Sequence, residues 1–365
     1  MNITGFLELR DVGQNLGDLQ TPVPIIDVDT VTRNVLRWQK HCDAEGLANR
    51  PHIKTHKIAG LARFQMASGA SGITVQKLGE AEVMADAGIT DMLLTFNIIG
   101  KPKLERLVTL LRRTSLSVVA DHDGMLPGLA WAAEQAQRSL HVLVECDTGA
   151  GRNGVQTPTA AAALATRIAD HPNLHFAGLM TYPAAGQRLA TQTFLVKAAQ
   201  LCADAGLKVP VVTSGGSPDM WSSEGLGGIT EYRVGTYIYF DRSLVARGTC
   251  SYDDCALTVL ATVVSRPTDN RAIVDAGTKA LTSDLLGLQG YGVVRALGDA
   301  TIYAANEEHG FLDVSHCSNK PVVGDLVRIV PNHVCPVSNL FDEVVFVRGD
   351  EVLGASRVNA RGLVQ

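Results

Sequence analysis

The chain lacks any apolar run long enough to cross a bilayer. Met1–Asp18 has no long apolar core of the kind a secretory leader carries, so a cytoplasmic protein is expected. A basic excess is missing too: 32 Lys and Arg against 37 Asp and Glu leave a net charge of −5, which argues against nucleic acid as a partner. The seven cysteines (42, 146, 202, 250, 255, 317 and 335) are odd in number and contain no C-x-x-C pair, consistent with a reducing compartment. No G-x-G-x-x-G follows an early strand, which weakens a dinucleotide-binding fold. Aromatic residues are sparse at 5%, and the three tryptophans are scattered as packing residues are.

Glycine, by contrast, is plentiful: 35 residues suit the tight connections of an α/β repeat. From Pro22 to Asp241 short apolar runs alternate with helix-period segments. The runs Val23–Asp27, His52–Thr55, Gly72–Val75, Met92–Thr95, Leu116–Ala120, His141–Glu145, Phe176–Thr181 and Val209–Thr213 predict strands. Helical patterns lie between them, near 30–46, 58–69, 78–88, 101–113, 124–138, 157–170 and 188–206. This alternation predicts an α/β protein with a TIM-like (β/α)8 barrel over 22–241. After Asp241 the texture changes to short β-branched runs (Val259–Val264, Arg271–Asp275, Ala300–Ala304, Leu326–Val330 and Glu343–Val347) divided by turn signals. A second, C-terminal β domain is expected over 242–365, joined by residues 1–21.

One stretch breaks the apolar pattern: Arg50-Pro51-His52-Ile53-Lys54-Thr55-His56-Lys57. Read as a strand, it sets His52, Lys54 and His56 on one face. An amine between two imidazoles is a solvated edge or a lysine activated to form an imine with a carbonyl. Further polar groups follow the expected strands: Gln76, Asp147 to Arg152 with two glycines, Tyr182, then Thr213-Ser214-Gly215-Gly216-Ser217 and Gly235-Thr236-Tyr237. Hydroxyls and glycine N–H groups at this end of a barrel suit a phosphate. With an imine lysine they point to a phosphorylated aldehyde, of which pyridoxal phosphate is the common one. In the β domain His333 and Cys335 have the spacing of two metal ligands on a strand face. Asp342 and Glu343 are either solvated turn carboxylates or supports for such ligands.

Taken together, Pro51–Lys57, Gln76-Lys77 with Glu80 and Glu82, Asp147-x-Gly-x-Gly-Arg152-x-Gly154 and Pro331-Asn-His-Val-Cys335 resemble the D-threonine aldolase / D-serine dehydratase family. These are pyridoxal-phosphate enzymes of the alanine-racemase-like fold, fold type III. The resemblance runs from about Thr21 to Val358-Asn-Ala-Arg-Gly362. It implies pyridoxal 5'-phosphate as a Schiff base on Lys54, not Lys57, with Arg152 and Tyr182 against the ring. It also implies that Thr213–Ser217 and Gly235–Tyr237 hold the phosphate, and that His333 and Cys335 hold a divalent metal (Mn, Mg, Co or Zn). A homodimer is implied, the β domain of one subunit covering its partner's barrel. Two departures stand out: Tyr182-Pro-Ala-Ala-Gly186 lacks the histidine common after this tyrosine in relatives, and Thr213–Pro218 differs from many family phosphate loops. The expected activity is retro-aldol cleavage of a D-β-hydroxy amino acid to glycine and an aldehyde, with His52, His56 or metal-bound water as base. The alternative is a D-serine or D-3-hydroxyaspartate-type dehydratase giving a keto acid and ammonia. A non-catalytic pyridoxal-phosphate carrier and a racemase are further readings.

Overall fold

Strand β1 (Val23–Asp27) and helix α1 (Val28–Glu45) begin the regular structure of the chain. The computed structural model describes residues 2–222 and 224–365. It divides into two compact units interleaved along the sequence: Trp38–Lys54, Gln65–Gly235 and Leu363–Gln365 in one, residues up to Arg37, Thr55–Phe64 and Thr236–Gly362 in the other.

The first unit is a parallel barrel. Its strands are β2 (Ala48–Asn49), β3 (Ile73–Val75), β4 (Asp91–Leu94), β5 (Ser115–Ala120), β6 (Leu140–Cys146), β7 (Leu174–Thr181), β8 (Val211–Ser214) and β9 (Glu231–Tyr232). They lie in the order β2-β9-β8-β7-β6-β5-β4-β3. The ring closes where His52 bridges Thr74 in parallel and the Thr74 N–H donates to the Pro51 carbonyl at 2.8 Å. Helices α3 (Leu78–Asp86), α4 (Lys101–Leu111), α5 (Leu126–Ala136), α6 (Pro158–Asp170) and α7 (Arg188–Asp204) occupy the segments between its strands, as the 3.6 period predicts, while α2 (Ala59–Ala67) belongs mostly to the other unit. Helix α6 shows why one begins where it does: the Thr157 hydroxyl accepts the Ala160 N–H at 3.1 Å and Pro158 takes the first helical position. In β7 a one-residue bulge shifts the pairing with β6, and Gly178 there has φ +139; a Cβ would run into the Val211 carbonyl.

Inside the barrel Leu93, Val119, Leu143 and Met180 form a packed apolar layer. Leu143 is 3% exposed, so Leu143→Ala removes buried methyls from a layer with little room to collapse. The expected loss is about 3 kcal/mol, read as a lower denaturant midpoint at unchanged slope.

The second unit carries β10 (Leu257–Thr268), β11 (Arg271–Val274), β12 (Gly292–Val294), β13 (Ala300–Ala305), β14 (Gly310–Asp313), β15 (Leu326–Pro331), β16 (Glu343–Arg348) and β17 (Glu351–Arg357). The sheet order is β11-β14-β13-β12-β15-β10-β1-β16-β17, and β10 also pairs with β11, closing the first six into an antiparallel barrel. Ile25, Leu260, Val345, Val347, Val352 and Ala355 form a core cluster of this unit.

Three expectations are corrected here. Strand β1 forms at the expected residues but pairs with β10 and β16 instead of joining the (β/α)8 barrel. The barrel's eighth strand is β9, two residues long and not foreseen. His52–Thr55 is no strand: Ile53–Thr55 closes as a 3-10 turn, and β2 lies earlier. Strands β12, β14 and β17 also went unforeseen. Among the described residues no helix is long and apolar enough to cross a membrane.

Candidate active site

Strand alternation places Thr95, Asp121, Glu145 and Tyr182 each two residues beyond the apolar layer, toward the strand ends where such barrels keep their sites. The lysine turn stands at the same end. A 3-10 turn rotates successive side chains by about a third of a circle, so the expected common face of His52, Lys54 and His56 does not form. Instead, buried His52 accepts the Lys54 backbone N–H on Nδ1 at 3.4 Å and meets Gln76 Oε1 through Nε2 at 3.0 Å. Gln76 Nε2 donates to the Thr95 carbonyl at 3.0 Å, which leaves Oε1 as acceptor and puts the His52 proton on Nε2. Gln76 thus bears on the turn through His52.

His56 and Lys57 belong to the other unit, since the two units part between Lys54 and Thr55. His56 is wholly buried, and its Nδ1 accepts the Ile58 N–H at 3.0 Å. Lys57 has a left-handed φ of +56, is 6% exposed, and its Nζ donates to the Ala360 carbonyl at 3.4 Å.

Beyond β8 and β9 the backbone leaves several donors unpaired among the described residues. Gly215, Gly216 and Gly235 are buried, and among the described residues none accepts a hydrogen bond from their N–H groups. Buried backbone donors rarely go without acceptors. Gly215 has no alternative there, because a Cβ would sit 2.8 Å from the Arg233 carbonyl oxygen. Thr213 and Ser214 are buried, and the Thr213 hydroxyl accepts from Arg233 Nε at 2.9 Å. Thr236 and Tyr237 open a 3-10 turn in the other unit, with Tyr237 wholly buried. Across the barrel mouth the Arg152 guanidinium lies 4.9 Å from the Tyr182 ring centroid, and that ring is 41% exposed. Arg152 and Tyr182 therefore meet, as their place after β6 and β7 predicts.

Two groups in the barrel unit escaped sequence reasoning. Arg233 follows β9 and donates to the Thr181 carbonyl at 2.5 Å; burial pulls its guanidinium down to about 10 against the pull of Glu231 and Glu145. Glu145, in β6, is raised to about 7 by burial, with Arg152 and Arg233 opposing. Its signal was available: it sits in strand phase two residues after Leu143.

In the other unit His333 and Cys335 do not share a strand face. His333 caps the helix Val334–Leu340, and Cys335 lies in its first turn. They are nonetheless hydrogen-bonded to each other. His333 Nδ1 meets Asp284 Oδ2 at 2.7 Å, and Cys335 Sγ lies 3.2 Å from the Thr55 hydroxyl. Burial alone lowers the His333 pKa, but Cys335, Asp284 and Asp241 overcome it and push it to about 9. Asp342 and Glu343 play no part in this cluster: they pair with Arg361 and Arg10. The carboxylate that meets His333 is Asp284, from a loop that gave no sequence signal. Among the described residues no group of three His, Cys, Asp or Glu side chains is arranged to hold a metal.

Comparison with known proteins gives the same picture over the full length. Residues 26–243 match the alanine racemase N-terminal domain, and 256–347 a serine dehydratase domain. A D-threonine aldolase from Arthrobacter sp. is 33% identical, with 96% of this chain and 95% of that protein aligned. D-threo-3-hydroxyaspartate dehydratase from Delftia sp. (strain HT23) is also 33% identical, over 88% of this chain and 93% of the relative. The D-threonine aldolase of Filomicrobium marinum superposes with a TM-score of 0.88 at 32% identity, covering 98% and 100% of the two chains. A metal-free cysteine-to-alanine variant of a D-threo-3-hydroxyaspartate dehydratase gives 0.85 at 31%, covering 95% and 99%. With both domains matched in order and the fold shared end to end, the chain belongs to the D-threonine aldolase / D-serine dehydratase family of alanine-racemase-like pyridoxal-phosphate lyases.

Proposed function

We propose that this enzyme cleaves D-β-hydroxy amino acids by retro-aldol chemistry, to glycine and an aldehyde, using pyridoxal phosphate on Lys54 and a divalent metal at His333 and Cys335. The observation that carries the reading is the set of buried glycine N–H groups at 215, 216 and 235 with no acceptor among the described residues, beside the strand ends. They fit a phosphate. The imidazole and thiol of His333 and Cys335, already in mutual contact, fit a divalent cation, the borderline Co and Zn better than the hard Mn and Mg. When bound, the cofactor offers an electron sink for charge at the substrate Cα, and the metal offers Lewis acidity toward a β-hydroxyl.

The chain's own groups then have distinct tasks. Lys54 supplies the amine that tethers the cofactor and yields it to the substrate's amine. His52 and Gln76 hold the turn that aims Lys54, and His56 holds the backbone just after it. Thr213 to Ser217 and Gly235 to Tyr237 receive the phosphate, while Arg152 and Tyr182 flank the ring. Asp284 holds the His333 ring through Nδ1, leaving Nε2 for the metal. The same reading takes the protein to be a cytoplasmic homodimer; its seven cysteines are all free thiols.

A second reading, dehydration to a keto acid and ammonia, is favoured by one observation. D-threo-3-hydroxyaspartate dehydratase is known as cysteine-to-alanine and histidine-to-alanine variants at positions separated by one residue, as His333 and Cys335 are. One incubation decides between them. D-threonine is supplied with pyridoxal phosphate and manganese, and glycine, acetaldehyde, 2-oxobutyrate and ammonia are followed together. Glycine with acetaldehyde is the expected result. Keto acid with ammonia and no glycine, from D-threonine or D-3-hydroxyaspartate, overturns it in favour of the dehydratase.

A further inference from the structure

Above the apolar layer of the barrel, a line of contacts runs from a buried carboxylate to the guanidinium at the mouth. Glu145 is 2% exposed, and its Oε2 accepts from Asn153 Nδ2 at 2.8 Å. Asn153 Oδ1 accepts from Arg152 Nε at 3.1 Å. The Arg152 guanidinium reaches the Tyr182 ring at 4.9 Å. A carboxamide donates at one end and accepts at the other, so a carboxylate behind its nitrogen fixes which way the oxygen points. That oxygen is the one hydrogen-bond acceptor of Arg152 among the described residues. The loop backbone is held independently: Val155 N–H donates to the Glu145 carbonyl at 2.9 Å, and Gly154 N–H to Asp121 Oδ2 at 3.0 Å. The Glu145 side chain is therefore not needed to anchor the loop, and its contact with Asn153 acts on the direction of the Arg152 side chain.

We propose that Glu145 is a positioning residue for the cofactor seat, acting through Asn153 to hold Arg152 over Tyr182. The inference rests on the reading above that Arg152 and Tyr182 flank the pyridoxal ring. Arg152 is mouth-exposed and long, and an unguided arginine samples many rotamers. The relay removes that freedom before the cofactor arrives, which raises affinity without adding a contact to it.

The test is a double-mutant cycle on cofactor affinity, measured by absorbance titration of apoprotein with pyridoxal phosphate and independent of turnover. Arg152→Ala is expected to weaken binding, and Glu145→Leu and Asn153→Ala to weaken it about tenfold each. Added to Arg152→Ala, Glu145→Leu is expected to do nothing more. Glu145→Gln keeps an acceptor for Asn153 and is expected to stay within about threefold of the parent. An equal loss from Glu145→Leu with and without Arg152 overturns the relay, as does no loss from it in the parent. If Glu145→Leu does not fold, Asn153→Ala completes the same cycle with Arg152→Ala. Unchanged affinity in Arg152→Ala is a different failure: it removes Arg152 from the cofactor seat, and the relay with it.

Discussion

Lys54→Ala is expected to lower turnover of D-threonine by roughly 10^4-fold and to abolish the long-wavelength absorbance of lysine-bound cofactor. The fold persists, because Lys54 ends a unit and is only partly buried, whereas the turn around it is fixed by backbone and His52. A small primary amine added to this variant restores part of the activity, since it replaces the missing nucleophile in solution. Lys57→Ala separates the two candidate lysines. It removes a donor from the Ala360 carbonyl and is expected to lower stability by about 1 kcal/mol while leaving the absorbance in place. If Lys57→Ala loses the absorbance and Lys54→Ala keeps it, the assignment is reversed.

The second large effect belongs to the metal. Treatment with a chelator is expected to lower turnover by about 10^3-fold while bound pyridoxal phosphate stays, and manganese is expected to restore it. If His333 and Cys335 are its ligands, His333→Ala and Cys335→Ala are expected to reproduce the chelated state and not to respond to added metal, since a two-ligand site has no redundancy. Asp284→Asn is the finer probe. Its amide can still meet His333 Nδ1, but without the charge that orients the ring and raises its basicity, so metal affinity falls by about 10- to 100-fold and excess metal restores turnover. Full activity in chelated enzyme removes the metal from the mechanism; full activity of Cys335→Ala removes the thiolate from the ligand set.

The barrel was legible because its helices are amphipathic and its central strands are continuous apolar runs. Where the sequence misled, tertiary pairing decided. Val23-Pro-Ile-Ile-Asp27 has the composition of a barrel strand and precedes a long helix, and nothing local says that its partners are Leu257–Leu260 and Val345–Val347. Glu231-Tyr232 is too short and too polar to announce a strand, yet its carbonyls and N–H groups complete the ring through Ala48 and Thr213. The lysine segment folds otherwise than its alternation suggests: the common face that singled out Lys54 is absent, and His52 caps the turn that carries it. His333 and Cys335 come together at a helix N-terminus and not on a strand. Asp284 lay beyond reach, because a loop carboxylate 49 residues away shares no period with its partner.

The placement of β1 also bears on how the protein comes to be folded. That strand is made well before both its neighbours, β10 and β16. Until they arrive, an apolar ribbon with two unpaired edges has to be kept from other chains while the parallel ring is made. Such long-range closure is slow. A nascent chain arrested before Glu343 therefore leaves one edge of β1 unpaired, and dependence on a holdase chaperone is expected to fall sharply once β16 and β17 have emerged.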